Sequence, residues 1–134
     1  MNTWTRVSAI VVAVLGVACL VFGIVFMTQA SSAERQIADD IQPLTIAQVD
    51  AQYEAVKTSQ MALAMIEEPN IQAGTAAPSA MYNYLTIQRT GLGLARANIG
   101  LAAFTRTIGI IDIIVGVGLI LAGLGLFKKG QSVA

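Results

Sequence analysis

An all-α membrane protein, in which two antiparallel transmembrane helices are extended by a kinked helical hairpin outside the membrane, is the fold class this sequence predicts. Three features predict it. Residues 7–27 and 108–127 form two long apolar segments, interrupted by charge only at Asp112. The roughly 80 residues between them are too polar to span a bilayer yet keep helical periodicity. Small residues also recur at every seventh position in both apolar segments. A mean hydropathy of +0.68, with 55% hydrophobic and 12% charged residues, departs from an ordinary water-soluble domain in the same direction.

Residues 1–6 read as a short cytoplasmic tail. Residues 7–27 follow as transmembrane helix 1. At about 1.5 Å per residue the segment is long enough for a hydrocarbon core of about 30 Å. It also exceeds the apolar core of about 7–15 residues in a signal peptide, so an uncleaved anchor is expected despite the small-residue stretch Thr28-Gln29-Ala30.

Residues 28–107 are expected to form an extracytoplasmic helical hairpin. The first helix should run past the membrane until Pro43 stops it, and Thr45 with Gln48 then supplies a capping box for a new helix. Ile46, Val49, Tyr53, Val56 and Leu63 form a narrow apolar row of coiled-coil type, with Gln60 its polar member. Residues 67–79, with two prolines and a glycine, predict the connecting loop. From residue 80 a helical pattern resumes, with Leu85, Leu92, Ala95, Ile99 and Ala102 on one face, and runs without proline into residues 108–127, transmembrane helix 2. A kink near Pro43 would absorb the unequal lengths of the two arms; a fold-back of residues 45–66 into a three-helix bundle is the alternative. Gly91, Gly93 and Gly100 lie in the descending arm, where close packing against the ascending arm is expected to explain them and a hinge is the other reading.

Residues 128–134 form a second short tail. The positive charges near the spans do not separate the two sides, with Arg6, Lys128 and Lys129 balanced by Arg35, Arg96 and Arg106. A short leader tends to stay cytoplasmic and a long connection can be translocated, so both termini are placed in the cytoplasm at the cell membrane. Trp4 and Phe127 then share one interfacial belt.

Ala9, Gly16 and Gly23 in the first apolar segment, and Gly109, Gly116 and Gly123 in the second, are each seven residues apart. That spacing keeps them on nearly one face, drifting by about 20° per step. One antiparallel register pairs Ala9 with Gly123, Gly16 with Gly116 and Gly23 with Gly109. Helices in lipid associate through close approach rather than hydrophobic expulsion, which is what such a helix-packing seam allows. Gly118 and Gly125 form a second pair with the same spacing, a candidate surface for another subunit.

Asp112 lies three residues after Gly109 and four before Gly116, so it is expected to face the seam, where it would hydrogen-bond near Gly23 or reach interfacial water. A carboxylate at membrane depth is by default a functional candidate. A glycine-rich pair of spans with a carboxylate in the second resembles the proton-translocating rotor subunit of an ATP synthase, with Asp112 in the carboxylate's place, although the connection here is far longer. A span, a helical extracytoplasmic segment and a second span also resemble the sensor half of a chemoreceptor.

No chemistry of catalysis is legible. The chain has no histidine and one cysteine, Cys19, in the first apolar segment. Asp39-Asp40 and Glu67-Glu68 are adjacent acidic pairs expected to be solvated charge. Eight basic residues balance eight acidic ones without clustering, which argues against nucleic acid as a partner. No catalytic, cofactor or metal site is therefore assigned. The expectation is a non-catalytic accessory or scaffold protein whose partners are the lipid bilayer and another protein or further copies of itself. A proton- or ion-conducting oligomer using Asp112, or a receptor-like adaptor without its own output domain, is the alternative.

Overall fold

A computed structural model describes the backbone of residues 3–132 and the side chains of residues 4–129. It is all helical: α1 (Thr3–Asp40), a 3₁₀ turn (Ile46–Gln48), α2 (Val49–Gln72) and α3 (Ala80–Ser132), with no strand among the described residues. α1 and α3 are both long and apolar enough to cross a membrane. Each extends beyond its apolar segment into the predicted tails; residues 1, 2, 133 and 134 of those tails lie outside the described residues.

The chain divides into two compact units, Met1–Ser32 with Ala102–Ala134, and Ala33–Leu101. In the first, the buried residues are almost all small and spaced by seven: Ala9, Gly16, Gly23 and Ala30 on α1, and Ala102, Gly109, Gly116 and Gly123 on α3. Large apolar side chains, including Val14, Val21, Phe22, Ile114 and Leu121, point outward. This inverts the usual arrangement of a water-soluble domain, where such side chains fill the core.

In the second unit, α1 ends at Asp40 and residues 41–44 form a turn containing a cis Gln42–Pro43 peptide. Thr45 and Gln48 form the expected capping box, in which the Thr45 N–H donates to Gln48 Oε1 at 3.0 Å. Val49, Val56 and Gln60 are the buried members of the predicted row on α2, with Tyr53 and Leu63 half-buried.

The expected loop at residues 67–79 is too long. α2 continues through Pro69 to Gln72, leaving 73–79 as the connection. Pro69 removes one N–H in an exposed stretch where water can serve the freed carbonyl, so the helix is not stopped there. What stops it is Gly74, at φ +69°, where a side chain would be strained. Its N–H donates to the Ile71 carbonyl at 3.0 Å and the Thr75 N–H to the Asn70 carbonyl at 2.9 Å, the paired bonds of a Schellman end.

Candidate functional site

At the small-residue positions α1 and α3 approach each other closely. A Cβ built on Gly16 would stand 2.8 Å from the Gly116 carbonyl oxygen and the same distance from the Ile120 nitrogen; one on Gly23 would stand 2.6 Å from the Gly109 carbonyl oxygen. From the other helix, a Cβ on Gly116 would lie 2.7 Å from the Gly16 oxygen and the Leu20 nitrogen, and one on Gly123 would lie 2.9 Å from the Ala9 oxygen. Most of these obstacles are backbone atoms, which cannot rotate aside as a side chain can. All six sequence-predicted seam residues, Ala9, Gly16, Gly23, Gly109, Gly116 and Gly123, are therefore buried at backbone-to-backbone contacts. By contrast, nothing lies within 4 Å of a Cβ on Gly118 or Gly125.

Asp112 is half-buried, and among the described residues it has no hydrogen bond or ion pair. Of the two expectations for it, a hydrogen bond near Gly23 or contact with interfacial water, the first is not seen among the described residues. No three histidine, cysteine, aspartate or glutamate side chains converge among the described residues.

The second unit carries polar contacts that the sequence pattern did not reveal. Gln60 is buried, and its Oε1 accepts from Arg89 Nη1 at 2.7 Å, a charge-assisted bond linking α2 to α3. Arg96 reaches Asp50 Oδ1 at 2.8 Å and Glu54 Oε1 at 3.3 Å, and its guanidinium lies 5.3 Å from the centre of the Tyr53 ring. Glu67 and Glu68, expected to be solvated, instead tie the connection closed. Ser79 donates its N–H and hydroxyl to Glu67 at 2.9 and 2.6 Å, and its Oγ accepts from the Tyr82 N–H, capping α3. The Tyr82 hydroxyl donates to Glu68 Oε1 at 3.0 Å. That bond to a carboxylate, with burial and the charges of Glu68 and Glu67, raises the Tyr82 pKa above its ordinary value.

The expectation that Gly91, Gly93 and Gly100 all serve close packing holds at one position only. Gly93 would meet the Tyr53 ring at 3.4 Å, an ordinary contact, whereas Gly91 and Gly100 face open space. Gly91 lines a groove between α3 and the end of α1 with its following turn, and Gly100 one between α3 and the 3₁₀ turn with the start of α2.

No family model, characterised protein or solved structure matches this chain.

Proposed function

We propose that this chain is a non-catalytic integral membrane scaffold, whose two spans pair antiparallel and present residues 28–107 as a helical hairpin to a partner outside the cytoplasm. The observation that carries the proposal is the inversion in the first unit. Glycine backbone lies inside and large apolar side chains lie outside, the arrangement expected where the solvent is lipid. The contacts of α2 with α3 support the hairpin: Glu68 meets Tyr82, Gln60 meets Arg89 and Asp50 meets Arg96, one number falling as the other rises. Such an anchored hairpin suits recognition of another protein, with both termini in the cytoplasm.

Purification of the tagged chain in mild detergent, with identification of what accompanies it, tests the role. Partners in fixed stoichiometry are expected. Proteolysis tests the topology: cleavage at residues 73–78 in intact spheroplasts is expected, and cleavage only in inverted vesicles reverses the orientation.

Asp112 motivates a second reading, a proton- or ion-conducting oligomer, because it is a half-buried carboxylate without a partner among the described residues. Asp112→Asn separates the two, since an amide does not exchange a proton at ordinary pH. Unchanged assembly and proton permeability in vesicles support the scaffold; lost proton permeability at unchanged abundance supports the conductor.

A further inference from the structure

α3 carries a second seven-residue pattern, unrelated to its buried one. Tyr84, Ile87, Gly91, Leu94, Asn98 and Leu101 alternate in steps of three and four, the a and d positions of a coiled coil. Yet Ile87, Leu94 and Leu101 are 72%, 64% and 63% exposed. Exposed apolar residues in such a row mark an interface that the single chain leaves open.

We infer that this row is the contact between two copies of the chain, packed in parallel about a twofold axis. The inference rests on the membrane reading above, since copies inserted with one topology present α3 in the same direction.

Three observations select a second copy as the occupant. In a parallel coiled coil, a d-position knob enters the space bounded by four residues of the facing helix: the one three before it, its equivalent, and those one and four after. For Leu94 these are Gly91, Leu94, Ala95 and Asn98. All four line one groove of about 350 Å³, whose other wall is the end of α1 and the turn after it, at Ile37, Asp40, Ile41 and Leu44. Gly91 keeps it open, because nothing lies within 4 Å of where its Cβ would stand. The surface thus offers both the knob and the hole, the self-complementarity a twofold contact requires. The flanking e and g positions, Gln88, Thr90, Ala95 and Ala97, carry no charge, so the row itself sets no like charges face to face; the charged residue lining the groove, Asp40, lies on α1. Finally, Asn98 occupies an a position, where it meets the other copy's asparagine only in a parallel, in-register pair.

Disulfide formation in native membranes tests the inference, using the full-length chain with Cys19→Ala. Asn98→Cys should give a species of twice the chain's mass under mild oxidation, while Thr58→Cys, on the exposed side of α2, should not. Adding Leu94→Glu, which places two like charges in the grooves, should lower the Asn98→Cys product about tenfold. Adding Leu94→Ala should lower it less. Equal crosslinking at Thr58 and Asn98, a product with a mass other than two copies, or indifference to Leu94→Glu would overturn the inference while leaving the membrane reading intact. Carbonate extraction of the same membranes is read separately: retention is expected, and release overturns the membrane reading and the parallel register with it.

Discussion

Met1–Ser32 with Ala102–Ala134 bring two helices together by removing side chains, whereas Ala33–Leu101 hold theirs by adding polar ones. In the first unit, glycine on one helix faces carbonyl oxygen and amide nitrogen on the other. In the second, Arg89, Arg96 and Tyr82 each reach from α3 to a polar group on α2. On the membrane reading proposed above, the difference follows from solvent. In lipid, apolar side chains gain little by burial, so dispersion at close range is the available glue. In water, a narrow apolar row leaves room for hydrogen bonds that fix register. Two regions of one helix, α3, thus follow opposite rules.

The comparison is broken most severely by a methyl group in the seam. Gly16→Ala and Gly116→Ala place a Cβ within 2.8 Å of backbone on the other helix, and should each lose about 1–3 kcal/mol in a reversible unfolding assay in detergent or bicelles. Gly118→Ala meets open space, so it should be neutral or gain up to about 1 kcal/mol from helix propensity.

Arg89→Leu should cost about 1–3 kcal/mol by leaving buried Gln60 unsatisfied. Changing Gln60 to leucine as well should recover much of that loss. The pair of variants, compared by thermal unfolding, shows whether the polar bond contributes stability or chiefly register.

Tyr82 sharpens the comparison through pH. Its pKa is raised in the folded chain, so the Glu68 bond contributes stability that is fully present below about pH 10, the ordinary value, and is lost as pH rises through the raised one. Alkaline titration followed by protease sensitivity of residues 73–78 should show opening in that window. Tyr82→Phe should remove the pH dependence while leaving cleavage at neutral pH modestly increased.

The smallest effect belongs to Arg96, whose partners Asp50 and Glu54 are largely exposed. Arg96→Lys should cost about 0.2–1 kcal/mol at low salt and less at high salt, where exposed ion pairs are screened.

Much of this architecture was legible in the sequence because it rests on periodicity. The all-helical character, two segments long enough to span, and the capping box of Thr45 and Gln48 were readable from spacing alone. The seam residues were readable for the same reason, since glycine at seven-residue intervals has few other uses in an apolar helix. What escaped was set by partners distant in sequence. The Gln60 side chain looked like a flaw in an apolar row until Arg89, on another helix, arrived to satisfy it. Glu67 and Glu68 looked solvated because Ser79 and Tyr82 lie across the chain reversal. Pro69 misled for a local reason: an exposed proline tolerates a helix that a buried one would break. Gly91 and Gly100 misled because glycine leaves the same mark in sequence whether it admits a neighbour or an open groove.

If the two apolar helices meet through their small-residue faces, a disulfide can be formed across the seam. A Cβ on Gly123 would lie 3.1 Å from the Ala13 Cβ, within a small shift of the roughly 3.5–4.5 Å that a disulfide needs. In a Cys19→Ala chain with a protease site inserted in residues 73–78, Ala13→Cys with Gly123→Cys should keep the two halves covalently joined after oxidation in membranes and cleavage. Ala13→Cys with Gly118→Cys should let them separate. Joined halves in the Gly118 pair alone would contradict the seam.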